Sequence, residues 1–75
     1  MSYEIEDAHP VRNEGTVIVF EGILLPDDER PNDQIEVVWF GVDHRMAQGV
    51  AEASEEGYAV EVEDWQILGR TVSTS

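Results

Sequence analysis

The alternation of apolar and polar residues predicts five strands and one helix. Apolar residues recur at every second position, or form nearly continuous runs, in five segments, as expected for strands. These segments are Tyr3–Asp7, Thr16–Leu25, Ile35–Phe40, Tyr58–Val62 and Trp65–Val72. Between the third and fourth segments, apolar residues recur at helical spacing instead.

The central unit of strand, helix and strand spans Ile35 to Val62. Asp43 precedes the helical segment, where an N-cap is needed, and Gly57 follows it, where a left-handed residue often ends a helix. The helix is therefore expected from about Asp43 to Glu56. We expect Met46 and Val50 to be buried against the strand that carries Trp39.

Proline and glycine set the other expected boundaries. The pair His9–Pro10 is expected to stop the first strand, because proline cannot donate to a strand ladder. A turn then follows over Val11–Gly15. Gly22 interrupts a strong strand pattern and predicts a bulge, a sharp bend or a close backbone approach. Pro26–Gln34 is predicted to be a loop, and Ser73–Ser75 a frayed tail.

These elements predict a single α+β domain spanning residues 1–75. The strands are expected to form a small, mainly antiparallel five-stranded sheet, with the helix between strands 3 and 4. That element order resembles the OB-fold, a five-stranded Greek-key barrel with its helix in the same place. An open sheet with the helix on one face has the same order, so both architectures remain open.

Charge dominates the composition. The chain has 17 acidic and four basic residues, a net charge of −13, and neither lysine nor cysteine. Acid-rich, lysine-free composition of this kind resembles proteins of halophilic archaea that accumulate salt. A dedicated acidic mimic, or a chaperone-like partner of a basic protein, is the alternative, but the carboxylates are scattered through every segment. The composition therefore favours a halophilic cell.

Candidate catalytic and metal-binding groups are sparse. His9 and His44 are not spaced as HxH or HxxxH, and no serine is placed to complete a triad with the Asp43–His44 pair. The acidic residues Asp27, Asp28, Glu29 and Asp33 lack the spacing of a calcium loop. We therefore expect no enzyme activity, no cofactor and no defined metal site.

Two tryptophans and two arginines are the candidate binding residues. Trp39 is expected in the core, whereas Trp65 follows an acidic turn and is expected at a partly exposed edge. On an OB-like barrel, Trp65 with Arg12 and Arg70 would form a stacking platform for single-stranded nucleic acid. Phosphate binding is disfavoured, however, because four arginines lie in a field of 17 carboxylates.

Two functions follow from these observations. The first is a non-catalytic protein-interaction or structural module, acting as a homodimer or with a protein partner through a strand edge or an aromatic patch. The alternative is an OB-like single-stranded nucleic-acid-binding module. A stripe of Arg12, Arg45 and Arg70 on one face would favour the alternative, and dispersed arginines the first. Without an apolar run of membrane length or a secretory signal, a cytoplasmic location is expected.

The net charge predicts that folding depends on salt. Repulsion between carboxylates should destabilise the compact state at tens of millimolar salt, and screening should relieve it as the Debye length falls to about 3 Å at 1 M. Circular-dichroism melts should show a rising Tm between about 0.05 and 2 M sodium chloride. Sodium sulfate at equal ionic strength separates screening from salt exclusion. An unchanged Tm would contradict the halophilic interpretation.

Overall fold

One curved sheet and one helix form the structure. The computed structural model describes residues 2–26 and 34–74, so the predicted acidic loop lies mostly outside the described residues. The elements are β1 (Ser2–Glu14), β2 (Val17–Leu24), β3 (Gln34–Asp43), α1 (His44–Glu55), β4 (Val60–Glu63), a 3₁₀ turn (Asp64–Gln66) and β5 (Ile67–Thr74). The strands lie in the order β4-β1-β2-β3-β5, and every described pairing is antiparallel. The predicted α+β fold, with its helix between strands 3 and 4, is confirmed.

The connection from β4 to β5 determines the curvature of the sheet. β4 pairs with β1 at one edge and β5 pairs with β3 at the other, yet only the 3₁₀ turn separates them. Four chain steps, from Glu63 to Ile67, span at most about 14 Å. Four strand spacings in a flat sheet would require about 19 Å. The sheet must therefore curl, bringing its two edges toward each other, although no described residues of β4 and β5 pair.

Curling gives the sheet an inner and an outer face. The inner face carries the core, and residues that pair directly across strands share that face. Phe20 of β2 and Phe40 of β3 are such a pair, with ring centroids 5.7 Å apart and planes 17° apart. Both are essentially fully buried, and the helix covers the same face through Ala47. The rest of this core comprises Ile5, Ala8, Leu24, Val38, Val42 and Val62.

The helix begins and ends where the sequence predicts. The Met46 backbone N–H donates to the Asp43 carboxylate over 2.8 Å, which caps the N-terminus. At the C-terminus, Gly57 has φ of 87°, and the Tyr58 N–H donates to the Ala53 carbonyl over 2.8 Å. None of the helices in the described ranges has both the length and the apolarity needed to cross a membrane.

The expected helix contacts are only partly correct. Val50 is half-buried against the core, but Met46 is 50% exposed, so its predicted burial is wrong. Ala47 occupies the closest position instead. The small side chain at Ala47 lets the helix approach the sheet, whereas the long Met46 lies beside the contact.

The first strand continues past the predicted stop. β1 runs through His9 and Pro10, so the predicted strand end and the turn over residues 11–15 are wrong; only Gly15 and Thr16 form the turn. Register shifts occur on either side of Pro10. β4 pairs with β1 only as far as Ile5, so Pro10 lies where β1 has a strand on one side only. A proline is tolerated at such an edge, because no neighbouring strand on that side needs a hydrogen bond from the backbone N–H that proline lacks.

Gly22 marks a close backbone approach, one of the three outcomes that its position predicts. Register places two residues of β1, Asp7 and Ala8, opposite this single glycine, and Asp7 has φ of 57°. An added Cβ on Gly22 would meet the Ile5 side chain and lie 3.2 Å from the Glu6 carbonyl oxygen. The bulge is therefore on β1, and the glycine makes room for it.

The boundaries of the last two strands differ from the predicted ones. Tyr58 precedes β4 and is exposed, because the helix cap still fixes the backbone there. Trp65 lies in the 3₁₀ turn rather than in a strand. At the C-terminus, Ser73 pairs with Ile35 and Thr74 with Gln34, so the predicted fraying is wrong for these two residues, and Ser75 lies outside the described residues.

Two alanine substitutions test this packing. Gly22→Ala should destabilise the protein by about 1–3 kcal/mol, because the added methyl group overpacks the bulge. Gly49→Ala should stabilise it by about 0.5–1 kcal/mol, since nothing lies within 4 Å of the added Cβ in this helical position. Denaturant unfolding at fixed salt measures both changes. Equal effects at the two glycines would contradict the close approach at Gly22.

Candidate functional site

The structure separates the predicted binding residues. Trp65 is 79% exposed in the 3₁₀ turn, which agrees with its expected exposure. Arg12 lies near the end of β1, where its Nε donates to the Glu14 carboxylate over 2.9 Å. Arg70 lies on β5, paired with Val38 of the inner face. Arg45 is in the first turn of α1. The described arginines are thus dispersed and form no stripe.

Arg70 belongs to a polar cluster on the inner face. Its guanidinium forms an ion pair with Glu36, and Nη1 donates to the Tyr3 hydroxyl over 3.2 Å. The guanidinium carbon also lies 5.4 Å from the centroid of the Tyr3 ring. Glu36 is 6% exposed, whereas 41% of the Arg70 side chain remains exposed. The arginine predicted to bind a ligand is therefore engaged by a buried carboxylate.

Glu36 favours the charged form of Arg70. The hydrogen bond to the Glu36 carboxylate, opposed in part by burial, raises the pKa of the Arg70 guanidinium above its ordinary value. A raised pKa in the folded state stabilises the protein below the unfolded-state pKa, and this stabilisation is lost only as pH rises through the folded-state pKa. Arginine titrates beyond the pH range of folding, so Arg70 stays charged throughout it.

A second polar cluster lies on the outer face. The Trp39 indole N–H donates to Glu21 over 2.7 Å, and the other Glu21 carboxylate oxygen is 3.7 Å from His9 Nε2. Trp39 pairs with Glu21 across β2 and β3, and its ring lies over Gly69 of β5. The expected core position of Trp39 is wrong. β3 is apolar on both faces, so composition alone does not set the direction of this side chain.

Apolar side chains continue from Trp39 along the outer face. Val37 precedes it by two residues and pairs with Ile23 of β2, and Ile35 comes two residues earlier still. Leu68 of β5 lies over Gly41, at the far side of Trp39. Ile23, Ile35 and Leu68 are 37–53% exposed, the first two on one side of Trp39 and Leu68 on the other. We call this surface the outer patch; it consists of Ile23, Ile35, Val37, Trp39 and Leu68.

Carboxylates are absent from the β3 and β5 side of the outer patch. β3 contains two acidic residues: Glu36 points inward to Arg70, and Asp43 caps the helix. β5 contains none, and residues 65–75 are the longest stretch of the sequence without an acid. The described carboxylates otherwise lie on β1, β2, α1 and its C-cap Glu56, β4 and the 3₁₀ turn. The β3 and β5 side of the outer patch is therefore weakly charged, whereas Glu6 and Glu21 border its β2 side as the partners of Ile23 and Trp39.

The histidines form no catalytic arrangement with the described residues. His9 Nδ1 lies 3.2 Å from the Asp7 carbonyl oxygen, and its Nε2 faces Glu21. A groove of about 430 Å³ between β1 and α1 includes the Ser54 hydroxyl, which is buried without a hydrogen-bond partner. Both His9 nitrogens are oriented toward other groups, so His9 is not placed as a base for this hydroxyl. Within residues 2–26 and 34–74, no three acidic or histidine side chains could hold a metal ion.

Comparisons with known proteins give no family assignment. No protein-family model matches the chain, and neither the curated proteins nor the solved structures include a match.

The outer patch was not predicted from the sequence. Its strands were identified, but the inward or outward direction of residues on β3 and β5 depends on register and on the bulge between Trp39 and Phe40. One signal was present in the sequence: residues 65–75 contain no acid, although the chain has 17.

Substitutions at the Arg70–Glu36 pair should have unequal effects. Arg70→Leu should destabilise the protein by about 3 kcal/mol, because Glu36 is left buried without its partner. Glu36→Leu should cost about 1 kcal/mol or less, since the half-exposed Arg70 can turn to solvent. Unfolding in urea at fixed molar salt provides the comparison. A larger loss for Glu36→Leu would show that apolar packing around residue 36, rather than the stranded carboxylate, controls stability.

Proposed function

We propose that this chain is a non-catalytic protein-interaction module of the cytoplasm of a halophilic cell, and that a protein binds the outer patch. The observation that carries the proposal is the weakly charged, apolar surface formed by β3, β5 and the adjoining part of β2. Adjoining apolar side chains that remain exposed commonly mark protein-interaction sites. Elsewhere the described surface bears carboxylates on nearly every element.

The halophilic part of the proposal rests on composition. The chain carries a net charge of −13 and has no lysine. In molar salt, screening shortens electrostatic interactions to about 3 Å, so specific recognition must depend mainly on apolar contacts and hydrogen bonds. The outer patch offers such contacts, with Trp39 as an aromatic residue of the kind enriched in interfaces.

The single-stranded nucleic-acid-binding alternative receives less support from the side-chain arrangement. Arg12 and Arg70 are both paired with carboxylates, on different parts of the sheet. Trp65 is exposed, but it follows Glu63 and Asp64, which would repel phosphates. Since both arginines are engaged by carboxylates, neither is free to supply the phosphate contacts on which nucleic-acid affinity mainly depends.

A site-specific photo-crosslinking experiment tests the proposal. A photoreactive amino acid replaces Leu68 in the outer patch, or Met46 on the helix as a control; these side chains are 53% and 50% exposed. After irradiation in a lysate at native salt, we expect discrete protein adducts from position 68 and none from position 46. Adducts of equal yield at both positions, or none at either, would contradict the proposal. A nuclease-sensitive adduct would support the alternative.

A further inference from the structure

Two free strand edges, that of β1 beyond Ile5 and that of β5, carry different protection against strand pairing. An unpaired strand edge is a template for another chain, and proteins usually protect it with proline, bulges or charge. Beyond Ile5, the free edge of β1 contains Pro10, and register shifts lie on both sides of that proline. It also carries the ion pair between Arg12 and Glu14. The β1 edge is therefore poorly suited to accept another strand.

β5 lacks this protection. It pairs with β3 on one side, and no described residue pairs with its other side. Its eight residues, ILGRTVST, contain neither proline nor an acid. The single charged residue, Arg70, is held by Glu36 and Tyr3 on the inner face. The outer edge of β5 thus presents backbone donors and acceptors with no protecting carboxylate.

We propose that β5 pairs antiparallel with β5 of a second copy of this chain, forming a two-fold symmetric dimer with one continuous sheet. This inference deepens the proposed function, because it names the protein that binds along the border of the outer patch. In a two-fold contact the same strand serves both partners. The pairing would therefore give the free β5 edge of each copy a hydrogen-bonding partner. It would also place Leu68 and Trp39 of both copies on one shared face.

The charge distribution favours a second copy as the occupant. Each copy carries a net charge of −13, so most approaches between two copies are repulsive. The β5 edge is the approach that brings no carboxylates of the two edge strands together, because residues 65–75 contain none. A strongly basic partner would gain little here, since this edge has no negative charge to attract it. Shape and hydrogen bonding, rather than attraction between opposite charges, would then select the occupant.

Association should strengthen with salt. The carboxylates outside β5 in one copy still repel those in the other copy. Salt at about 1–2 M shortens the range of this repulsion to roughly the distance of direct contact. Sedimentation equilibrium of the wild-type chain in 2 M sodium chloride should show a concentration-dependent dimer. At the lowest salt that maintains the fold by circular dichroism, the dimer fraction at equal concentration should fall.

Spin labels identify the pairing strand. The chain has no cysteine, so Thr71→Cys and Gln48→Cys each provide one labelling site. Thr71 lies on β5 and is exposed, whereas Gln48 is exposed on the helix. Strands about 4.8 Å apart with a rise of about 3.3 Å per residue place two Thr71 labels within about 30 Å. We expect a shorter inter-copy distance at position 71 than at position 48.

A charge-matched pair of substitutions tests the edge itself. Thr71→Lys should weaken dimerisation at least tenfold, because lysine on an edge strand opposes pairing. Thr16→Lys makes the same change of charge in the exposed turn between β1 and β2 and should leave the dimer unchanged. Circular-dichroism melts at the same salt check that both variants fold; if Thr71→Lys does not, the spin-label distances provide the test alone.

Three results would overturn the proposed dimer: a wild-type chain that stays monomeric up to about 1 mM in molar salt, labels that are closer at position 48 than at position 71, or equal effects of the two lysine substitutions. The crosslinking experiment distinguishes this failure from failure of the proposed function. A monomeric chain that still yields adducts with other proteins from position 68 would retain the interaction module and lose the dimer.

Discussion

The short link between β4 and β5 is the constraint on which the other features depend. Since the 3₁₀ turn must join strands at opposite edges of the sheet, a flat arrangement is geometrically excluded. The resulting curl creates an inner face deep enough for one helix to cover. It also leaves an outer face that no described element covers. Within the described residues no second layer lies against that face, and several of its apolar side chains remain exposed.

The curl also requires β1 to bend, and the Gly22 contact shows how this occurs. Two residues of β1 lie opposite one of β2, and the absent side chain at Gly22 accommodates them. The bulge lets β1 pair with β4 at its beginning and leave a free edge after it. The same local irregularity therefore shapes the core and makes this edge a poor acceptor of further strands.

Sequence reasoning succeeded where the controlling interactions are local. Asp43 and Gly57 fix the ends of the helix through bonds within a few residues, so both were predictable. The errors concern positions decided by distant neighbours. Pro10 stays in a strand because β4 stops short of it, and Met46 is exposed because the helix meets the sheet through Ala47. Trp39 and Arg70 depend on register: one lies outside the core, and the other binds Glu36. Both arginines predicted to bind a ligand, Arg12 and Arg70, form ion pairs with carboxylates that the sequence pattern did not predict.

The same pairing scheme has a consequence for how the chain folds. β1 pairs with residues near position 62, and β3 pairs with residues near position 73, so the two outermost strands of the sheet, β4 and β5, are joined by contacts that are distant in sequence. High contact order of this kind slows folding. During synthesis, the three-stranded meander of β1, β2 and β3 emerges first, with Phe20 and Phe40 uncovered until the helix follows. β5 comes last among these elements, so Glu36 is synthesised before its partner Arg70. Until Arg70 pairs with it, burying Glu36 is costly, which disfavours premature collapse of the meander into a compact state.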